Sequence, residues 1–171
     1  MQLIINNNKG MNHEVVNKNK LTKLEAVMWS IALPGFTQLL TGNLVKGVLF
    51  VALEFIVNVF SNFNKGIMYS FLGETEMALQ VLDIQWLMFY PCLYMFAMWD
   101  AYRSVMPEGE KLTFLPFVFS AYFVTVGLMF SPKVKLFGIF PGPVFLPMLF
   151  VIPGFLSGFL IRKVLLKYYD K

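Results

Sequence analysis

Few side chains in this sequence have both the type and the setting to do chemistry, and Glu54 comes first among them. It sits near the middle of "LVKGVLFVALEFIVNVFSNF", residues 44–63, a run apolar enough to cross a bilayer. A charged side chain at that depth costs about 2.5–3.5 kcal/mol or more, so Glu54 must be neutral, paired or wet. Asn58 follows four residues on, which places it on the same helix face. Two chemistries suit the pair. Glu54 is either a proton or cation site or a contact to a partner's basic helix, or it is a protonated acid acting as glue between helices. In the second case it is hydrogen-bonded to Asn58, Tyr90, Tyr94 or Gln38. Asp100 and Arg103 lie three apart near the end of another apolar run and can pair with each other. They can also hold a neighbouring segment in place, and Arg103 can alternatively meet an anionic lipid headgroup.

Other chemistries lack their parts. Cys92 is the one Cys and His13 the one His, so a structural zinc site built from those ligands is excluded, as is an intrachain disulfide. Cys92 lies within an apolar run and reads as a small packing residue. His13 lies in a polar stretch, which leaves no Ser–His pair within the membrane. No Walker loop and no Gly-x-Gly-x-x-Gly occurs. Asp83 and Asp100 fall on or near one helix, ~25 Å apart along its axis, so one chain cannot bring them together as an aspartyl dyad. Glu74 and Glu76 belong to a polar connection where solvated acids are ordinary. The expectation is a protein with no catalytic residue, metal or cofactor.

The elements that position these residues follow from composition. Of 171 residues, 57% are hydrophobic and 14% charged, against roughly a quarter charged in a soluble domain. That much apolar surface cannot be hidden in a soluble chain of this size. The fold expected is an all-α polytopic membrane helical bundle, with about four spanning helices plus an N-terminal amphipathic or re-entrant helix. Residues 1–20 read as a polar cytoplasmic tail and 21–171 as a single integral membrane domain. Within it, the surface or re-entrant helix covers 21–41, and spans lie near 44–63, 84–102, 112–130 and 143–161. Thr22 and Glu25 have the spacing of a capping box, and Leu21, Leu24, Val27, Met28 and Ile31 recur at helical spacing after it. Pro91 falls inside the second span, 64–83 reads as an acidic loop, and the stretch before Pro143 as a membrane-dipping loop.

Charge sets the orientation. If the first apolar segment crosses, the 14 basic residues divide 7 against 7. If it does not, they divide 11 against 3, with Lys65, Lys133 and Lys135 alone on the poorer side. The positive-inside bias favours the second arrangement, which puts both termini in the cytoplasm and the 64–83 loop outside. The basic margins at Lys9, Lys18, Lys20 and Lys23, and at Arg162, Lys163, Lys167 and Lys171, read as topology signals that attract anionic lipid. Nucleic-acid binding, which wants a larger basic surface with stacking aromatics, is rejected.

The segment "PGFTQLLTGNLVKGVLF", residues 34–50, has its own logic. Pro34 and Gly35 break a helix, Gly42 and Gly47 allow positive φ or close backbone approach, and Gln38 can hydrogen-bond backbone groups freed at the break. A compact turn fixing the first helix to the next span explains all five, and an ion- or headgroup-binding loop is the alternative. This Pro-Gly-x-x-Gln…Gly…Lys-Gly hairpin resembles that of small, mostly uncharacterised bacterial membrane proteins related to the two-transmembrane-helix domain family. "WDAYR", residues 99–103, resembles the Asp-Ala-Tyr-Arg helix end of the same proteins. Thr37 and Leu40 stand where those relatives often have Gly and Tyr. The resemblance covers roughly 30–103 and implies a fold and a bacterial cell membrane more than an activity.

The functional expectation is a multi-pass, non-enzymatic accessory subunit or scaffold. It acts among membrane lipids through a membrane-protein partner or as a homo-oligomer. The alternative is a small oligomeric transporter or channel component that uses Glu54.

Overall fold

The computed structural model describes residues 21–107 and 109–169. The tail expected over 1–20, with His13 and its lysines, lies outside the described residues, as do Asp170 and Lys171. The elements are α1 (Lys23–Ala32), α2 (Phe36–Leu40), α3 (Leu44–Ser61), α4 (Phe63–Phe71), α5 (Thr75–Val81), α6 (Ile84–Leu87), α7 (Tyr90–Val105), α8 (Leu115–Phe130) and α9 (Gly142–Tyr169). Among the described residues the one β pairing is an isolated bridge between Leu136 and Ile139.

Local chemistry places the boundaries. The Thr22–Glu25 capping box is present, with side chain and backbone bonded reciprocally, and it starts α1. Pro34 and Gly35 end that helix. Gly35 takes the left-handed conformation at φ 96°, and α2 starts directly after it. Asn62, at φ 55°, ends α3 and begins α4, a left-handed position that Asn tolerates. Pro91 and Pro116 sit in the first turns of α7 and α8, where a missing N–H leaves no helical bond unmade.

Helices α3 and α9 are each long and apolar enough to cross a membrane. A third candidate is the pair formed by Thr75–Val81 and Ile84–Val105, bent by 92°. Helix α8 is apolar but has 16 residues, or ~24 Å of rise. Three expectations are corrected. The 84–102 segment is two helices with a break at Met88–Phe89, so Pro91 opens a helix rather than interrupting one. The 64–83 region is not a loop but the hairpin α4–α5, which packs on α9. Helix α9 runs past 161 to Tyr169, carrying Arg162, Lys163 and Lys167 on its last turns.

The tightest packing joins α8 to α9, antiparallel. A Cβ placed on Gly158 would lie 2.4 Å from Pro116 Cα, and one on Gly154 would lie 2.6 Å from Ser120 Cα. Gly127 of α8 meets Pro147 and Phe150 of α9 in the same way. Small residues let the two backbones approach where bulk would hold them apart. Met95 and Met98 of α7 pack with Phe117 and Ala121 of α8 beside this pair, and Val27, Tyr94 and Phe155 close around them. Helix α1 rests on α7, with Val27 against the Met95–Met98 cluster, and meets α2 through its small residues. Ala26 and Ser30 are buried, while Leu24, Met28 and Ile31 of the apolar stripe face outward.

Candidate functional site

Asp100 is the node on which the first hairpin closes. Gln38 of α2, fully buried, donates from Nε2 to the Ala97 carbonyl at 3.0 Å and to Asp100 Oδ2 at 3.1 Å. Lys46 of α3 donates to Asp100 Oδ1 at 2.8 Å. Gln38 thus serves α7 and not the groups freed at its own break. Its Oε1 is buried without a partner. The two segments of the motif, 62 residues apart along the chain at Gln38 and Asp100, therefore meet side chain to side chain.

Glycine makes this approach possible. A Cβ on Gly35 would lie 2.6 Å from the Gly47 carbonyl oxygen, and one on Gly47 would lie 2.5 Å from the Leu39 side chain. Gly42, at φ 83°, faces open space, so its role is conformational. The turn end of the hairpin is tied separately. Thr37 donates to the Ala26 carbonyl at 2.7 Å, Ser30 donates to Thr37 Oγ1 at 3.1 Å, and Tyr94 donates to the Ile31 carbonyl at 2.6 Å. Pro34 is buried in the turn.

A second node, Glu110, joins three parts of the chain. It binds Lys23 at the start of α1, accepts from Tyr102 of α7 at 3.4 Å, and lies 3.6 Å from Arg162 of α9. Arg162 also donates to the Lys111 carbonyl at 3.0 Å. The Lys23 hydrogen bond holds the Glu110 carboxyl below its ordinary pKa, and the same bond raises that of the Lys23 amine.

Glu54 is half-buried on α3. Tyr90 of α7 donates to its Oε1 at a long 3.4 Å, and Oε2 is buried with no partner. Asn58 does not reach Glu54. It donates instead to Asn64 at 3.2 Å, bridging the α3–α4 corner. No ion pair joins Asp100 to Arg103 among the described residues. Arg103 lies over the Trp99 ring at 5.4 Å while Asp100 serves Lys46 and Gln38. Cys92, expected to be packed, is exposed on α7.

Sequence reasoning missed Glu110, which has no periodic or motif signal in a polar loop. It also missed Gly127, Gly154 and Gly158. Gly154-x-x-x-Gly158 is a small-xxx-small pattern and was legible in principle. Among the described residues no three His, Cys, Asp or Glu side chains are grouped to hold a metal ion. Comparison with family models, with curated proteins and with solved structures finds no match for this chain.

Proposed function

We propose that this chain is a four-span, non-enzymatic membrane protein that acts as an accessory subunit or scaffold for other membrane proteins. The observation that carries the reading is where the polar groups around the first hairpin are spent. Gln38, Lys46, Asp100, Thr37, Ser30 and Tyr94 bond to one another or to backbone and tie α1, α2 and α3 to α7. Large apolar side chains, Phe55, Phe60 and Leu160 among them, face outward and are open to lipid or to a partner helix. The four spans in this reading are α3, α6–α7, α8 and α9. Helix α1 enters beside Glu110, and the chain turns at Pro34–Gly35 and returns to Asp100, so α1–α2 is re-entrant from the cytoplasmic side. The meeting of residues 34–50 with Asp100 supports kinship of roughly 30–103 with the two-transmembrane-helix domain proteins.

Crosslinking in intact membranes, mild extraction and mass spectrometry test the function. A specific stoichiometric partner is expected, and recovery of the chain only with itself would count against it. A reporter fused after Lys171 should lie inside the membrane barrier, and an impermeant label should reach the Glu74–Glu76 region from outside. The opposite result in either assay overturns the topology.

A second reading has one observation in its favour, the unpartnered buried Oε2 of Glu54. In it the chain is an oligomeric transporter or channel component. Glu54→Gln would then abolish proton- or cation-driven flux in proteoliposomes, whereas a scaffold keeps its partner and its stability.

A further inference from the structure

An apolar cleft of about 980 Å³ runs along one side of the α7–α8 pair. Leu93, Phe96, Phe117, Val118 and Ala121 line it. Its lining is asymmetric in one respect. Arg103 and Trp99 line one end and Cys92 lies at the other, eleven residues back along α7. That separation is ~16 Å of helix, about half of a ~30 Å hydrocarbon core. The cleft therefore has the length of one leaflet.

Arg103 is unlike its neighbours. Lys23, Lys46 and Arg162 each meet a carboxylate, whereas among the described residues no carboxylate pairs with Arg103. Its exposed guanidinium is carried on the Trp99 ring at 5.4 Å, at the mouth of the cleft. Indole rings prefer the headgroup level of a bilayer, and a planar guanidinium presents paired donors that match phosphate oxygens. An unpaired cation at the mouth and a one-leaflet apolar slot behind it are the two halves of a phospholipid.

The geometry points to a seat for a single anionic phospholipid of the inner leaflet, its phosphate on Arg103 and one acyl chain along the α7–α8 cleft. This rests on the membrane reading above but not on the scaffold role. In this arrangement the lipid tail covers the exposed Cys92 and Phe96. A partner helix would fill the same slot without using Arg103.

The test uses the full chain in nonionic micelles, in a Trp29→Phe, Trp86→Phe background that leaves Trp99 as the reporter. Phosphatidylglycerol and phosphatidylcholine with the same brominated acyl chains are titrated separately, and glycerophosphate is titrated alone. Phosphatidylglycerol should quench Trp99 at roughly fivefold lower concentration than phosphatidylcholine, the preference expected of one basic residue at an anionic surface. Arg103→Gln should remove the preference and Arg103→Lys should keep part of it. Val118→Phe, which narrows the slot from its exposed wall, should weaken quenching by both lipids. Native mass spectrometry should retain one phosphatidylglycerol per chain. Equal quenching by the two lipids, or an unchanged preference in Arg103→Gln, overturns the proposal. So does a crosslink from Cys92 to another polypeptide in native membranes. Competition by glycerophosphate as strong as by the intact lipid would overturn the acyl half. The topology reporter fails or succeeds independently, so loss of the membrane reading is distinguishable from loss of this site.

Discussion

Gly158 offers the most direct test of how this bundle is held together. A Cβ there would stand 2.4 Å from Pro116 Cα and 2.7 Å from the Leu115 carbonyl oxygen. Comfortable carbon–carbon contact is ~3.5–4.0 Å, so α8 would have to retreat by roughly 1 Å. Both obstructing atoms are backbone, and no side-chain rotation relieves them. Retreat at this point also loosens Gly154 on Ser120 and Gly127 on Pro147, because the three contacts lie along one antiparallel seam. Forcing bulk into a packed seam costs about 1–3 kcal/mol. Gly158→Ala recovers up to ~1 kcal/mol of helix preference, so its net loss should be small, about 0–2 kcal/mol. Gly158→Val adds bulk and recovers less, so about 2–3 kcal/mol should be lost. Leu160→Ala, on the outward face of the same helix, should change stability by less than ~0.5 kcal/mol. The assay is SDS titration in mixed micelles, followed by far-ultraviolet circular dichroism. A Gly158→Val midpoint indistinguishable from that of Leu160→Ala would refute the close approach and the reasoning built on it.

Further outcomes follow from the polar nodes. Asp100→Ala strips Gln38 and Lys46 of a shared acceptor and should cost about 1–3 kcal/mol, because Gln38 Nε2 is buried. Lys46→Met should cost about 0.2–1 kcal/mol, since Lys46 is largely exposed, and a double-mutant cycle between the two should show coupling. Independent, additive effects would remove Asp100 from its place as the node. The Lys23–Glu110 tie gives a pH signature. The carboxyl sits below its ordinary 4.5, so its contribution is present above that value and lost as pH falls through the lower folded value. The amine sits above its ordinary 10.5, so its contribution is present below that value and lost as pH rises through the higher one. The stability difference between the native chain and Glu110→Gln should therefore be flat between those limits and shrink below 4.5, as read by thermal unfolding across pH. A difference that grows on acidification would contradict the tie.

Much of the local structure was legible because it depends on near neighbours. The Thr22–Glu25 cap, the stop at Pro34–Gly35 and the apolar run of α3 each follow from residues within a turn or two of one another. Pairing choices were not legible in the same way. Arg103 is three residues from Asp100 and was the nearer partner by spacing, yet Asp100 turns to Lys46 and Gln38. The return of α2 toward α7 brings two donors to one carboxylate, one of them fully buried, and a buried donor left unsatisfied is the larger cost. Asn58 shares a helix face with Glu54, but the reversal at Asn62 carries Asn64 within reach of it first. The 64–83 region looked like a loop because its polar residues interrupt any single long apolar run. Two short helices become stable there because each finds α9 to pack on. The sequence by itself determined the solvent, the helical class and the positions where helices start and stop. These are set by composition and by interactions within a few residues. Which acid meets which base, and where two backbones approach within a glycine's width, were decided by tertiary structure, because those contacts join residues tens of positions apart.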